Sequence, residues 1–312
     1  MKRNFLGLAL LAWLAGCSPK KDFTPEERQA YEASLNAWHT RRLETVKAPD
    51  GWLNLVGLYW LEPGPNTFGS NEKNNIVFPK GKIAEHAGYF IVQDNQVILR
   101  VNTNVPISVH GKPIATEQVV FHPDSSAIIA ESGSLRWNII RRDTKLAIRL
   151  RDLDSEATKS FADIERYPVD PAFRVAATFE KADSSRTIDI TNIVGQTTAQ
   201  PSPGTLVFDL LGKKHRLDVL EGNKEEFFVI FADVTSGNET YGGGRFVYVK
   251  KPVADEAMYI DFNKAYNPPC VFTPYATCPL PPRQNVLAVE VKAGEKNYSA
   301  GGQSGNATVS VH

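Results

Sequence analysis

Short stretches of alternating apolar and polar residues, each closed by turn residues, run through most of this 312-residue chain. From residue 52 onward they are rich in Val, Ile, Phe and Trp and are separated by Gly, Asn, Asp and Pro. Strands that recur about every 8–12 residues are typical of sandwiches and barrels, whereas βαβ units need helical patterns between the strands. The pattern therefore predicts a mainly β protein with antiparallel sheets.

The predicted strands form two series. The first comprises Leu53–Trp60, Asn75–Phe78, Tyr89–Gln93, Gln96–Val101, Pro106–Val109, Ser134–Arg141 and Lys145–Leu150. The second comprises Phe173–Phe179, Thr187–Thr191, Leu206–Leu210, His215–Val219, Phe227–Ala232, Phe246–Val249, Met258–Phe262 and Val286–Val291. Between them lies a predicted short helix, Ser155–Ile164. We therefore predict two packed antiparallel β units, residues 49–151 and residues 152–299.

One amphipathic helix is predicted before the first strand. Thr24-Pro25-Glu26-Glu27 supplies a capping residue, a proline at the first helical position and a glutamate three residues after the cap. Turn residues at 48–51 end the helix, so residues 18–48 are predicted as a tether and a helix. Residues 300–312 are rich in Gly, Ser and Asn and are predicted as a flexible tail.

The first 17 residues have the pattern of an export signal. Lys2 and Arg3 precede an apolar run, Phe5–Leu14, that is shorter than the roughly 20 residues of a membrane span. Leu14-Ala15-Gly16-Cys17 resembles the lipobox of bacterial lipoproteins. The resemblance implies that Cys17 is acylated and that the chains anchor the protein in a membrane. An ordinary secretory signal with an incidental Cys17 is the alternative.

The residue after Cys17 bears on localisation. Ser18 rather than Asp follows the cysteine, which resembles the outer-membrane default of Gram-negative lipoproteins. The expectation is an exported lipoprotein of the outer membrane, on either face. Loss of Lys2 and Arg3 with the signal leaves 33 basic residues against 35 acidic ones.

Several classes of function lack their signatures. Lys plus Arg equals Asp plus Glu at 35 each, and no basic face is interleaved with aromatic residues, so no nucleic-acid partner is expected. The six histidines show no HExxH or His-x-His spacing, so no metal is expected. Neither Gly-x-Ser-x-Gly nor a GxGxxG before a helix occurs, and no cofactor is predicted.

Cysteine usage points to a disulfide. With Cys17 acylated, Cys270 and Cys278 remain as a pair in an oxidising compartment, with seven residues between them. A small looped disulfide is geometrically possible, and free or redox-active thiols are the alternative. Two cysteines do not complete a tetrahedral zinc shell, and no histidine lies near them in the sequence.

The segment at 239–296 is richest in candidate functional residues. Three glycines precede Arg245, so the backbone there can present N–H groups to an anion beside the guanidinium, or can simply turn tightly into the next strand. Prolines at 268, 269, 274, 279, 281 and 282 exclude a central strand or helix. Long ordered loops are more often functional than not, although a structural cap over the second sheet explains the pattern equally well.

The candidate ligand-binding residues of this segment have polar side chains and lie in or near a loop that the prolines and the possible disulfide make rigid. They are Tyr241, Arg245, Asp261, Asn263, Lys264, Tyr266, Asn267, Tyr275 and Arg283. No catalytic residue is assigned.

Two stretches resemble known families. Asn66-Thr67-Phe68-Gly69-Ser70, Asn74–Phe78 and His110–Ile114 are similar to forkhead-associated domains over residues 66–114, which implies a β-sandwich. Ser70 stands where that family has its phosphate-binding arginine, so the resemblance concerns the fold.

The second resemblance covers most of residues 51–296. It rests on five motifs in order: Gly51-Trp52-Leu53-Asn54-Leu55, Tyr241–Arg245, Asp261–Cys270, Tyr275–Pro279 and Ala293–Lys296. They resemble the bacterial family catalogued as domain of unknown function 1684, which implies that these residues form its signature and implies no activity.

Three functions remain open. The first is a lipid-anchored envelope protein that binds a small polar ligand or an envelope protein through the 239–296 loops. The second is an envelope enzyme, hydrolase- or transferase-like, in which Lys264 or a tyrosine is the acid or base and Arg245 and Arg283 hold an anionic substrate. The third is a structural or assembly factor.

Overall fold

The computed structural model describes residues 23–298 except residues 143 and 255. The predicted signal with Cys17 and the predicted tail at 300–312 lie outside the described residues. Strands account for 41% and helices for 15%, so the predicted mainly β class is confirmed. Among residues 23–298, neither α-helix combines the length and the hydropathy of a membrane span.

The elements follow in this order along the chain: α1 Pro25–Lys47, β1 Leu55–Trp60, β2 Gly64–Gly69, β3 Ile76–Val77, β4 Gly88–Gln93, β5 Gln96–Val101, β6 Ser108–Val109, β7 Lys112–Pro113, β8 Glu117–Phe121, β9 Ala130–Ser132, β10 Leu135–Arg142, β11 Lys145–Asp152, α2 Glu156–Ser160, β12 Arg174–Lys181, β13 Thr187–Thr191, β14 Thr197–Pro201, β15 Gly204–Leu210, β16 Lys213–Glu221, β17 Glu226–Phe231, β18 Arg245–Lys250 and β19 Met258–Asp261.

Helix α1 begins where the sequence predicts it. The Thr24 hydroxyl accepts a hydrogen bond from the Glu27 N–H, and the Glu27 carboxylate accepts one from the Thr24 N–H, which completes a capping box. The helix buries only Leu35, His39 and Val46. It is therefore held to the body by polar contacts as well as by packing.

The first unit is a sandwich of two sheets. Among the described residues, one sheet has the order β1-β11-β10-β9-β6-β7 and the other the order β3-β2-β4-β5-β8, antiparallel except for the β2–β3 pair. Their inner faces meet in a core around Phe68, Phe78, Phe90 and Trp137. Alternation puts every second side chain of β10 and β11 on the opposite, outer face.

The second unit is a nearly closed barrel. Its described strands follow the order β18-β17-β16-β15-β12-β19, with β13 and β14 as a separate hairpin. Phe208, Phe231 and Phe262 pack in its core. The two large cores share no residue: among the buried residues, the first ends at Leu150 and the second begins at Phe173. The predicted unit bounds stay a prediction.

A small third hydrophobic cluster lies where the sandwich and the barrel meet, a region called the seam below. Val46 of α1 packs there with Leu53, Phe161 and Ile164, and with the ring of Phe272 from the long loop after β19. The seam thus joins the helix, the start of the sandwich and the barrel. It also places the outer face of the first sheet opposite that loop.

One predicted strand is wrong. Val286–Val291 makes a single bridge to Ala232, and Val286 is 56% exposed. Prolines 281 and 282 and a short 3₁₀ turn, Arg283–Asn285, direct the segment across the barrel end.

Candidate functional site

A cavity of about 200 Å³ lies between the two units, against the outer face of strands β10 and β11. Arg142 and Arg149 contribute cations from the sandwich, and Trp52 contributes an indole ring. Phe228 and Phe246 of the barrel form an aromatic wall, with their rings edge to face at 4.9 Å. The loop after β19 closes the remaining side with Pro269, Ala276, Thr277, Cys278 and Pro279. Neither unit forms this cavity alone.

The strand register explains why arginines face the cavity. On β11, Ile148 and Leu150 are fully buried in the sandwich core, so Arg149 and Arg151 lie on the other face. The β1–β11 pairing sets Leu58 beside Arg149 and Leu55 beside Arg151. These guanidinium groups therefore point away from the sandwich toward the seam.

The cavity has cations without matching carboxylates. Among the described residues, no ion pair or side-chain hydrogen bond engages Arg149 or Arg151, and the Nε atom of each is buried without a partner. None of the described lining residues is acidic. Arg142 is held only weakly, by a 3.3 Å bond from its Nε to the Thr277 hydroxyl and one to its neighbour's carbonyl.

The charges destabilise one another. Burial, and then the nearby charges of Arg142 and Arg151, lower the pKa of Arg149 to about 10. Burial also lowers the pKa of Arg151, although Asp50 acts in the opposite direction. For Arg149, burial and the neighbouring positive charges both disfavour the charged form. Because its pKa is still about 10, Arg149 stays positive at neutral pH. The cavity therefore presents a partly desolvated positive potential that a bound anion would neutralise.

Trp52 gives the cavity a flat wall beside the cation. The guanidinium carbon of Arg149 lies 5.6 Å from the centre of the Trp52 ring. This cation–π contact orients the arginine side chain without using its N–H donors. Arg149 thus lines the cavity, and its Nε is left without a hydrogen-bond partner among the described residues.

The disulfide between Cys270 and Cys278 is confirmed and frames the loop wall. Their Cα atoms are 6.1 Å apart, and Cys278 is buried. The Thr273 hydroxyl donates to the Leu55 carbonyl at 2.9 Å and fixes the loop against the sandwich. The short covalent loop thereby holds Thr277 at the distance where it contacts Arg142.

Arg245, the predicted anion cradle, is buried completely inside the barrel. Its Nη2 donates to Asp233 Oδ2 and to the Val291 carbonyl, both at 2.8 Å, and its Nη1 donates to the carbonyls of Ala293 and Glu295. The preceding Gly244 has φ +81°, and a Cβ there would collide with the Phe231 carbonyl. The glycine run and Arg245 thus make a tight internal junction.

Four predicted residues lie together and bind helix α1. Asp261 accepts a 2.8 Å hydrogen bond from the Tyr31 hydroxyl, and Asn263 donates to the same hydroxyl at 3.0 Å. Arg42 lies over the ring of Tyr266, 4.7 Å from its centre, and donates to the Asn267 carbonyl.

Buried Glu295 completes this network. Its carboxylate accepts from Arg42 Nε at 3.1 Å and from the Asn267 N–H at 2.7 Å. Burial raises the pKa of the Tyr31 and Tyr266 hydroxyls, so both remain neutral donors. The network anchors the helix, and the Asn267 Oδ1 is the one polar atom in it that is buried without a partner among the described residues.

The other four predicted residues are spread over the surface. Tyr275 is 38% exposed and Arg283 is exposed, while Lys264 and Tyr241 are half-buried. The nine predicted residues therefore do not converge on one cavity, and none lines the one at the seam. Their role in ligand binding stays a prediction.

The sequence reasoning missed Arg142 and Arg149. The sequence shows basic residues in two neighbouring predicted strands, at Arg141-Arg142 and at Arg149-Leu150-Arg151. In the structure, no acidic residue of the partner strand lies in register with them. Antiparallel sheets commonly have one solvated face, so alternating arginines in such a strand are interpreted as ordinary surface residues. They line a cavity only because the second unit packs against that face.

Comparisons with known proteins find similarity for part of the chain. No curated protein matches it. A structure solved by solution NMR, an uncharacterized protein of Haloarcula marismortui, is 29% identical over 44% of this chain and 78% of its own, with a TM-score of 0.37. Residues 159–296 match the family described as "Protein of unknown function (DUF1684)", so the barrel unit with its loop is similar to that family.

Proposed function

We propose that this protein binds a small organic anion in the cavity between the sandwich and the barrel. One observation carries the proposal: Arg142 and Arg149 line a partly open cavity that has no acidic lining residue, and neither has a carboxylate partner among the described residues. Removing a charge from water costs several kcal/mol unless a counter-charge is supplied. A bound phosphate, sulfonate or carboxylate supplies it.

The lining defines the ligand further. Guanidinium groups bind oxyanions through paired N–H donors, and here two of them approach from one side. The rings of Trp52, Phe228 and Phe246 supply apolar lining. A volume of about 200 Å³ suits an oxyanion that carries one small apolar or aromatic group. A monoester such as phenyl phosphate has this composition.

The proposed setting is the cell envelope. The lipobox-like Leu14-Ala15-Gly16-Cys17 supports acylation and an outer-membrane location, with the acyl chains as the membrane contact. Replacement of Cys17 by Ser is expected to move the protein from the membrane fraction to the soluble fraction. Unchanged fractionation would contradict the anchor and would leave the anion site unaffected.

The ligand proposal is tested with phenyl phosphate. Calorimetric titration uses the full chain with Cys17→Ser, so that acylation does not contribute. Arg149→Met is expected to weaken binding about tenfold or more, since a hydrogen bond to a charged group contributes about 1.5–3 kcal/mol.

The matched control is Arg100→Gln, which removes an exposed arginine of the same unit that pairs with Glu117. It is expected to leave the phenyl phosphate affinity unchanged. Absence of phenyl phosphate binding, or equal affinity in Arg149→Met and the parent, would overturn the proposal.

A further inference from the structure

A second and larger cavity, of about 410 Å³, opens at one end of the sandwich between its two sheets. Its floor consists of Leu61, Val92, Phe121 and Leu146, which pack against the sandwich core. Three of these side chains, Val92, Phe121 and Leu146, are only half-buried. Apolar surface between the sheets thus remains accessible from this end.

The rim of the cavity is polar and carries two cations. Arg141 and Lys145 flank the turn between β10 and β11, and both are exposed. Neither makes an ion pair or side-chain hydrogen bond within the described part of the chain. Residue 143, between them in the sequence, lies outside that part. Glu62 is the one acidic lining residue among those described.

Trp60 stands at the mouth of the cavity. It is 37% exposed, although a tryptophan in a strand is expected to pack inside the sheet. It lines the cavity together with the apolar floor residues and the two cations, and an amphipathic indole is favoured where apolar and polar groups meet. The lining of the cavity therefore combines apolar side chains, one indole and two cations.

We infer that this end of the sandwich binds an anionic amphiphile, with a medium-length hydrocarbon chain between the sheets and its head group on Arg141 and Lys145. The volume lies in the range of ligand cavities, about 300–1,000 Å³. Burial of the chain removes the apolar surface of the floor side chains from water, which favours binding. Two cations near the rim favour a carboxylate or phosphate head over a neutral one.

This inference does not depend on the anion site at the seam. Arg141 and Arg142 are adjacent on β10 and line the two different cavities. Arg149→Met is therefore expected to leave binding at the sandwich end unchanged, and phenyl phosphate is not expected to displace an amphiphile from it.

The probe is decanoate below its micelle concentration, titrated calorimetrically into the full chain with Cys17→Ser. The double variant Arg141→Glu/Lys145→Glu is expected to weaken decanoate binding at least tenfold and to change decanol binding less than twofold. Decyl phosphate distinguishes a requirement for a carboxylate from a requirement for any anionic head. Lys112→Glu, an exposed lysine of β7 outside the cavity, is the matched control and is expected to have no effect.

Blocking the floor gives a second measurement. Val92→Trp fills space between the sheets and is expected to abolish binding of both decanoate and decanol, while circular dichroism checks that the fold is retained. No decanoate binding by the parent, or equal weakening by Lys112→Glu and the double variant, overturns the inference.

Discussion

Arg245 in the barrel and Arg149 at the seam have opposite environments. In the barrel, the Arg245 guanidinium is fully enclosed, pairs with buried Asp233 at 2.8 Å and donates to three backbone carbonyls. At the seam, Arg149 is half-buried beside Arg142 and Arg151 and has no such partner among the described residues.

The difference distinguishes a structural charge, which is paired with a counter-charge inside the fold, from a charge that has no protein partner and could pair with a ligand. Arg245 satisfies its charge within the fold and joins β18 to the segment at 291–295. Arg149 lies at a cavity without a carboxylate partner, and its lowered pKa means that folding disfavours its charge. Under the proposal above, a bound anion would neutralise that charge. The following predictions test this contrast.

The largest effect is expected from Arg245→Met. It leaves the Asp233 carboxylate buried without its counter-charge, so unfolding free energy should fall by about 3–5 kcal/mol in urea titrations. Addition of Asp233→Leu to this variant should recover part of the loss, because no buried charge then remains. A loss below about 1 kcal/mol would show that Arg245 is not a structural charge.

Removal of the disulfide comes next. A closed loop with a sequence separation of 8 between its cysteines stabilises a fold by about 2–3 kcal/mol through chain entropy. Cys270→Ser/Cys278→Ser should therefore lower the unfolding free energy by that amount and weaken phenyl phosphate binding, since the loop forms one wall of the cavity. Unchanged phenyl phosphate affinity would show that the loop does not shape the site.

A smaller effect is expected from pH. Burial and the adjacent arginines lower the pKa of Arg149 to about 10 from the usual 12.5. The anion binds the protonated guanidinium, so affinity should be constant from pH 8 to 9 and fall about fourfold by pH 10.5. Phenyl phosphate is fully ionised throughout, since its second pKa is about 6. A flat profile to pH 10.5 would contradict a role for Arg149.

The smallest effect is the stability of Arg149→Met without ligand. The lowered pKa of Arg149 means that folding disfavours its charge at neutral pH, so the variant should be as stable as the parent or up to about 1 kcal/mol more stable. Thermal unfolding measures this. A loss above about 2 kcal/mol would give Arg149 the structural role of Arg245 and remove the contrast.

Local patterns predicted the regular elements with the strongest signals. The capping sequence at Thr24–Glu27 located the start of α1, and β5 and β13 have the predicted bounds. Strand β14, Thr197–Pro201, was missed because all five residues are exposed and no apolar alternation marks it. Strand β2 was missed because Gly64 and Pro65 read as turn residues.

The site was less predictable than the fold. The predicted polar residues of the 239–296 segment are conspicuous in the sequence, yet Asp261, Asn263 and Asn267 bind helix α1, which precedes them by more than 200 residues. A sequence pattern shows which groups are present and leaves their long-range partners undefined.

The sequence by itself determined a mainly β chain in two units, one capped helix before them and a nearby cysteine pair, because these features depend on short-range periodicity and spacing. Only the tertiary structure decided which arginines are neutralised. Arg245 meets Asp233, 12 residues before it in the chain, inside the barrel. Arg149 lies near Arg142 and Arg151 of the same β10–β11 pair. The barrel residues and the loop that line the cavity beside it come from a part of the chain distant in sequence, which local patterns do not reveal.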